Sequence, residues 1–510
     1  MNPKYSIAEI SKYNSVFENC LECAAETVLS MPDYCPEIKR ILKSYAEVNN
    51  TTVHRNSGFA DIKADVSFRI IYVGEDGSLA SYEQPHHVEK RVEISCDDEC
   101  IINCSMLADY INSRAISPRK VDVKASLTLK IKGFRLRKES VLCSADGGGI
   151  QVKSEEHQFA EIIALSEKTF SLSETAEIAK DKKPISKILA NNAYLSVNEV
   201  KTINNKALVK GNCIITVNYL PERGDKPECC EFSLPVSQII ETEGLKENSK
   251  INLKNTITNF EAVPRVDASG EIRLIDLNLR VQTVLTAFEE SKISFIKDCY
   301  STEFPLKTES KKTEICEFID SFKTDFTNKV VLESIGVTVE EVLSSWCSDL
   351  KYNFTHNDEC CVLSGSYQAC VIYKDSDNQI ELIQKPIEFD YALTLKNKYQ
   401  RIMTLGDAQL TTCSCSVSGE SRLEMKTEII LAADVFALRT VDYISKADVE
   451  ESAVTSRNSC ALTVCFCNKG DNLWNIARRY NTTVEAIKSE NGIDDDEIAE
   501  NKMILVPCNF

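Results

Sequence analysis

Alternating apolar and polar positions run through most of the chain, and this alternation predicts β-strands. The strictest runs, with a period of two residues, lie at 121–129, 272–281 and 423–431. A strictly alternating strand buries one face and leaves the other in water, as in the antiparallel sheets of a sandwich. We therefore expect a mainly β fold.

The pattern repeats three times along the chain. Each copy has a short leading segment, a strand that ends in tyrosine, a polar turn, a strand that contains proline, and then one of the strictly alternating runs. Such a recurring order of elements is typical of tandem modules. The landmarks of the alignment, each pair 30 residues apart, are Leu42 and Tyr72, Leu189 and Tyr219, and Leu343 and Tyr373.

The leading segments are predicted to be short helices. Pro36 and Pro184 stand a few residues before the Ile-Leu pairs of the first two copies, where proline commonly opens a first helical turn. After each landmark tyrosine, Pro85, Pro235 or Pro386 predicts the edge strand of a hairpin.

These patterns divide the chain into six regions. Alternating segments near 132–182 and 287–335 are expected to be strands that join neighbouring modules. The predicted regions are an N-terminal helical segment (1–31), three antiparallel β-sandwich-like modules with a short leading helix (32–145, 146–290 and 291–440), a polar tether (441–461) and a small C-terminal domain (462–510).

Composition narrows the functional classes. The 510 residues include 59 basic and 77 acidic side chains, which give a net charge of −18. This charge argues against nucleic-acid binding, which needs a basic surface that releases counterions from phosphates. We also expect no membrane span, because no long uninterrupted apolar run occurs, and a cytosolic location with reduced thiols, because the first residues show no export signal.

The reactive side chains do not form a predicted catalytic or metal site. The 22 cysteines lack the paired hooks of a zinc site, so we expect small buried side chains, with intermolecular cross-linking as the alternative. His86 and His87 are expected on a solvated edge. Cys299 follows Asp298 as in cell-wall Cys/His peptidases, but its extended surroundings lack the helix N-terminus that lowers a thiol pKa. We expect no enzyme activity, cofactor or metal ion.

Residues 462–507 follow a different order, which is strand, helix, helix, strand. Asn472 stands at the predicted start of the first helix. Thr482 and Glu485 predict a capping box for the second helix, and Gly492 predicts its end. We therefore expect a small βααβ domain.

The run from Gly470 to Tyr480, together with Asn491 and the ending Ile504-x-x-Pro507, resembles a LysM domain. LysM domains commonly bind N-acetylglucosamine polymers in a shallow groove between the loop that opens the first helix and the loop after the second. The resemblance implies a groove for a glycan or a protein partner, formed by Asp471, Asn472, Leu473, Trp474, Gly492, Ile493 and Asp494.

This segment departs from the LysM pattern in two places. Asn472 stands where threonine is usual, and residues 494–498 place four carboxylates beside the groove. Trp474 is expected to pack in the core of the domain, and a stacking platform for sugar is the alternative. A single LysM domain offers weak affinity for glycan, because no second copy adds avidity.

Three β modules followed by one LysM domain resemble the SPOCS-domain proteins of anaerobic Gram-positive spore formers, and in particular the SipL-like coat morphogenetic proteins. The resemblance rests on the leading segments with Pro36 and Pro184, the strand at 211–219, and the run at 298–301. It implies a non-enzymatic adaptor in the mother-cell cytoplasm, at the forespore surface. Its implied partners are a stage IV sporulation coat ATPase and other coat proteins.

A peptidoglycan-binding protein of the cell wall or spore cortex remains the alternative function. The LysM groove favours it, whereas the absence of an export signal favours the intracellular scaffold. Unpaired edge strands in repeated sheets also make self-association possible.

Overall fold

The computed structural model describes residues 4–95, 100–222, 226–333, 338–357, 359–419, 421–449 and 461–507. Among these residues, strands are by far the commonest element, and the two helices both lie in the C-terminal domain. The predicted mainly β fold is therefore confirmed.

Three modules of six strands each extend to residue 449. Module 1 contains β1 (Lys4–Ser30), β2 (Ile38–Asn56), β3 (Phe59–Gly74), β4 (Leu79–Glu93), β5 (Ile101–Ser117) and β6 (Lys120–Asp146). Module 2 contains β7 (Ile150–Glu177), β8 (Ile185–Ile203), β9 (Lys206–Pro221), β10 (Glu228–Glu241), β11 (Lys250–Val266) and β12 (Ile272–Ser301). Module 3 contains β13 (Leu306–Glu333), β14 (Val339–His356), β15 (Cys360–Asp375), β16 (Ile380–Thr394), β17 (Ile402–Gly419) and β18 (Arg422–Val449).

Every module is a sandwich of two three-stranded antiparallel sheets with one topology. In module 1 the sheet orders are β1-β6-β5 and β2-β3-β4, and modules 2 and 3 repeat both orders strand for strand. The facing sheets of each module enclose an apolar core, to which the strictly alternating runs contribute one face. In module 1, for example, Val123, Leu127 and Leu129 are completely buried.

The hairpin predicted after each landmark tyrosine is present in all three modules. The proline-containing strands β4, β10 and β16 lie at sheet edges, where a missing N–H group costs no ladder hydrogen bond. Tyr72 and Tyr219 are fully buried, and their hydroxyl groups donate to the backbone carbonyls of Pro36 and Lys183, each at 3.1 Å. The tyrosine therefore ties the end of the second strand of its sheet to the segment that leads into the first.

The prediction of short leading helices is wrong, because β2, β8 and β14 occupy these segments. Each of these strands has two β-bulges near its start, at the same places in the three modules. A bulge adds one residue to a strand, so apolar side chains recur at intervals of three and imitate a helix. Leu42, Leu189 and Leu343 are the extra residues of the second bulge.

Two predicted boundaries also differ from the structure. Residues 4–30 form β1 rather than a helix, because pairing along β6 satisfies their backbone and buries Ala25 and Leu29. Residues 441–449 of the predicted tether belong to β18, and residues 450–460 lie outside the described residues. The alternating joining segments do form strands, which are the long ribbons β6, β7, β12 and β13.

Apolar clusters join the three modules to one another. Val141, Phe295 and Tyr443 lie on β6, β12 and β18, each two residues before a bulge that these strands share. All three side chains belong to one buried cluster. A second cluster, which includes Ile71, Ala190 and Leu343, connects the other sheets of the three modules. The modules therefore pack against each other through two apolar clusters, one on each set of sheets.

Polar contacts close the three modules into a ring. β2, β8 and β14 each carry a charged residue two positions before the bulged leucine. In every case its side chain bonds to a neighbouring module. The contacts are Arg40 with Glu381 (2.7 Å), Lys187 with the Ser81 carbonyl (3.1 Å) and Glu341 with Lys226 (2.5 Å). Module 1 thus contacts module 3, module 2 contacts module 1, and module 3 contacts module 2.

Candidate functional site

The C-terminal domain contains β19 (Leu462–Cys467), α1 (Leu473–Arg479), α2 (Val484–Asn491) and β20 (Lys502–Pro507). The strands pair antiparallel, and both helices cover one face of the resulting two-stranded sheet. The core is formed by apolar side chains from all four elements, and Leu473, Ala477, Ile487 and Val506 are completely buried. The predicted βααβ order is therefore confirmed.

Both helices begin with a side-chain cap. The Oδ1 atom of Asn472 accepts the backbone N–H of Trp474 at 2.9 Å, so asparagine here performs the capping role of the usual threonine. The second helix is capped by Thr483, whose Oγ1 atom accepts the N–H of Ala486 at 3.0 Å. The prediction of Thr482 as the cap is wrong by one residue, since Thr483 holds the N-cap position and Thr482 is buried. Gly492, with φ of 59°, ends the helix as predicted.

The loop that opens α1 is bonded to the segment that precedes β20. The N–H of Leu473 donates to the carbonyl of Asp496 at 2.8 Å, and the N–H of Ile498 donates to the carbonyl of Asp471 at 2.9 Å. The carboxylate of Asp471 accepts the N–H of Asn468 at 2.8 Å. The loop that opens α1 therefore lies beside the segment that continues from the second side of the predicted groove. Leu473 is buried, and its N–H is already bonded to Asp496.

The second side of the groove follows α2. Ile493 packs half-buried on the domain core, whereas Gly492 and Asp494 are exposed. Lys488 donates to the carbonyl of Asp494 at 2.7 Å and forms an ion pair with Asp496 at 2.7 Å. The hydrogen bond to Asp496 raises the pKa of Lys488. One lysine thus offsets part of the negative charge beside the groove.

Trp474 lies where the C-terminal domain meets module 2. Its indole Nε1–H donates to Asp298 at 2.8 Å, and its ring packs edge-on against Tyr300 with the ring centroids 4.9 Å apart. Arg478, one turn further along α1, binds both carboxylate oxygens of Asp298 at 2.7 and 2.9 Å. Trp474 is therefore occupied by contacts within the chain.

Tyr300 completes this anchor between module 2 and the C-terminal domain. It lies near the end of β12, it is buried among the apolar side chains of the C-terminal core, and its hydroxyl donates to the carbonyl of Thr482 at 2.7 Å. Burial raises the pKa of Tyr300 to about 12, so the hydroxyl stays protonated and remains a donor. The run at 298–301 thus positions the C-terminal domain on the ring.

An exposed apolar face lies on the other side of the two-stranded β19–β20 sheet. Val464 is directly opposite Leu505, and Phe466 is directly opposite Met503. Phe466 is 78% exposed and Met503 is 62% exposed. We call this face the apolar strip, and it consists of Leu462, Val464, Phe466, Met503 and Leu505.

Sequence reasoning missed the apolar strip. The signal was present, because residues 462–467 and 503–506 are almost continuously apolar, and a strand with one wet face should alternate. A continuous run indicates that both faces of the two-stranded sheet are apolar. One face is covered by the helices, and the other is exposed.

The other candidate residues, Cys299 and His87, lie in surroundings that suit structural roles. Cys299 is buried within β12, and burial raises its pKa to about 11, which disfavours the nucleophilic thiolate. His87 pairs with Asp65 across the hairpin of β3 and the edge strand β4. Within the described ranges, no three His, Cys, Asp or Glu side chains are arranged to hold a metal ion. Neither of the helices described is long and apolar enough to cross a membrane.

Comparisons with known proteins find two families. The model described as the SipL, SPOCS domain matches residues 184–264, which span β8, β9, β10 and most of β11 in module 2. The model described as the LysM domain matches residues 468–507. No curated protein and no solved structure matches the chain. The chain therefore carries a SipL-type SPOCS domain in module 2 and a LysM domain near its C-terminus, which confirms its resemblance to the SipL-like, sporulation-related proteins.

Proposed function

We propose that this protein is a non-enzymatic adaptor of spore coat assembly. It joins a stage IV sporulation coat ATPase to other coat proteins in the mother-cell cytoplasm, at the surface of the forespore. The SPOCS and LysM matches support a binding protein of sporulation. The apolar strip on the LysM domain is the observation that supports the more specific role of an adaptor.

The apolar strip suits a protein partner better than a glycan. Five large apolar side chains lie together on a sheet of two six-residue strands, and each is more than a third exposed. Contiguous exposed apolar surface marks protein interaction sites, because covering it removes the side chains from water. Aromatic and methionine side chains such as Phe466 and Met503 are enriched at such interfaces.

The anchor to module 2 supports an adaptor in a second way. Trp474 and Arg478 hold α1 on Asp298, on the side of the domain away from the apolar strip. A fixed domain binds with a smaller loss of conformational freedom than one on a flexible tether. The ring of modules then provides extended sheet edges for other coat proteins.

The test is the affinity of the purified coat ATPase for the full chain and for its variants. The double variant Phe466→Ser, Met503→Gln is expected to bind at least ten times more weakly, since it removes the two most exposed members of the strip. Glu490→Gln, an exposed change on α2, serves as the matched control and should bind normally. Equal affinity of both variants and the original chain would contradict the role of the strip.

Peptidoglycan binding is the second candidate, because the LysM match implies it and the loop that opens α1 lies beside the segment that continues from the second side of the groove. Its test is co-sedimentation with purified sacculi, in which the full chain is compared with a truncation that ends at Ser459. If the full chain pellets with the sacculi and the truncation does not, the LysM domain is a glycan binder. Recovery of both proteins in the supernatant would leave protein recognition as its role.

The proposed location has a separate test. A fluorescent fusion of the full chain should form a shell around the forespore on the mother-cell side. A uniform mother-cell signal in cells that contain the coat ATPase would contradict it.

A further inference from the structure

Two thiol groups meet inside module 3. Cys347 lies on β14 and Cys413 on β17, so they belong to the two facing sheets of the sandwich. The Sγ atom of Cys347 is 3.3 Å from the Oγ1 atom of Thr427, and Thr427 is paired directly opposite Cys413. Directly paired residues have Cβ atoms about 5 Å apart. The two thiols are within hydrogen-bonding contact of each other.

A cavity gives small molecules access to these thiols. Both cysteines line a partly open cavity of about 370 Å³ at the junction of the three modules. Tyr45, Asn192 and Trp346, each three residues after the bulged leucine of its module, also line it. A volume of this size accommodates a small organic molecule.

We propose that Cys347 and Cys413 are an oxidation site, which closes to a disulfide between the two sheets of module 3. The oxidant is a low-molecular-weight disulfide that enters the cavity. The thiolate of Cys347 attacks one sulfur of the oxidant and releases one thiolate, which leaves a mixed disulfide on Cys347. Cys413 then loses its proton and attacks the Cys347 sulfur, which releases the second small thiol. One disulfide is reduced to two thiols, and one protein disulfide forms.

The surroundings of the two sulfur atoms agree with this order of steps. Hydrogen bonds from Cys413 and from Thr427 lower the pKa of Cys347. The hydrogen bond with Cys347 raises the pKa of Cys413, together with burial. Cys347 therefore carries the negative charge first and attacks the oxidant, since a thiolate is the reactive form of cysteine.

The disulfide would be specific to module 3 and would stiffen the ring. The residues equivalent to Cys347 are Ala46 in module 1 and Ala193 in module 2. Leu343 and Trp346, on the same strand as Cys347, belong to the apolar cluster that joins the modules. A bond to β17 would fix this strand and resist separation of module 3 from module 1.

The test treats the purified full chain with oxidised glutathione under native conditions and maps disulfide-linked peptides by mass spectrometry. We expect one dominant Cys347–Cys413 link and a rise of several degrees in the thermal midpoint of the oxidised chain. Cys347→Ser and Cys413→Ser should each abolish both effects. Cys213→Ser removes a buried thiol of module 2 and is the matched control, which should keep the link.

Three outcomes would overturn the proposal. In the first, both cysteines still react fully with an alkylating reagent when the oxidised chain is unfolded in denaturant. In the second, the thermal midpoint rises equally in the Cys347→Ser and Cys413→Ser variants, which would assign the stabilisation to other cysteines. In the third, the mapped disulfide links Cys347 to a cysteine other than Cys413.

Discussion

Module 2 differs from modules 1 and 3 at one end of an otherwise shared fold. The position of Tyr300 in module 2 is occupied by Asp146 in module 1 and by Asp448 in module 3, as the shared bulges of β6, β12 and β18 show. Only the tyrosine can enter the apolar core of the LysM domain. Tyr300 and Asp298 together therefore allow module 2, and not its two similar neighbours, to hold that domain.

A second equivalent position shows the same divergence inside the ring. Glu139 of module 1 corresponds to Ile293 in module 2 and Val441 in module 3, which are both buried. The glutamate accepts hydrogen bonds from Thr313 and Tyr443 of module 3. At these two positions, which make contacts outside their own module, the three copies have diverged. The contacts that distinguish one module from the others are therefore found where the modules meet each other or the LysM domain.

The largest expected effect comes from Tyr300→Asp, which makes module 2 match its neighbours. A carboxylate in the core of the LysM domain leaves a buried charge and removes the contact with Trp474, at a cost of roughly 3 kcal/mol or more. We expect the LysM domain to detach and melt as a separate transition in calorimetry. Asp448→Asn is the control at the equivalent position and should leave the trace unchanged. A single transition at the original temperature in the Tyr300→Asp chain would contradict the anchor.

A smaller effect is expected for Asp298→Asn. The amide oxygen can still accept from Trp474, but the ion pair with Arg478 is lost, which is worth about 0.5 kcal/mol for a half-exposed pair. The thermal midpoint of the chain should fall slightly at low salt and match that of the original chain at high salt. Asp442→Asn, in the exposed pair with Lys312, is the control. An equal deficit at both salt concentrations would indicate a cause other than charge.

We predict that the stability of the fold depends on pH through Glu139. Burial alone would raise the pKa of Glu139, but hydrogen bonds from Lys12, Thr313 and Tyr443 outweigh it and lower the pKa. A carboxyl group with a lowered folded pKa stabilises the fold above its unfolded pKa of about 4.3, and this contribution is lost as the pH falls through the folded value.

Thermal midpoints between pH 7 and pH 3 would measure this contribution. Glu139→Gln should lower the midpoint at pH 7 and have little effect at the lowest pH. A variant whose deficit stays constant with pH would show that the charge of Glu139 is unimportant.

The smallest effect is expected for Asn472→Thr, which restores the usual LysM residue. Both side chains cap a helix, so the stability of the domain should change by less than about 0.5 kcal/mol. Asn472→Ala removes the cap and should cost about 1 kcal/mol. Denaturant titrations followed by tryptophan fluorescence in a Trp346→Phe background, which leaves Trp474 as the reporter, would separate the two variants. Equal losses in both would show that the cap at Asn472 is not the stabilising group.

The sequence predicted the elements whose pattern is local. Period-two runs located the modules, and glycine and asparagine signals located the LysM helices. The leading helices were wrong because the bulges at Leu42, Leu189 and Leu343 shift the strand pattern. The contacts of Trp474 could not be predicted, since its partner Asp298 is 176 residues away. The ring likewise depends on pairs far apart in sequence, such as Arg40 and Glu381.

The most direct test of the adaptor role is hydroxyl-radical footprinting of the full chain with and without the purified coat ATPase. We expect the ATPase to protect Met503 and Phe466 from oxidation, because it covers the apolar strip, while exposed side chains elsewhere on the LysM domain keep their oxidation rates. Formation of the complex with Met503 and Phe466 oxidised at unchanged rates would contradict the account, because the partner would then bind elsewhere.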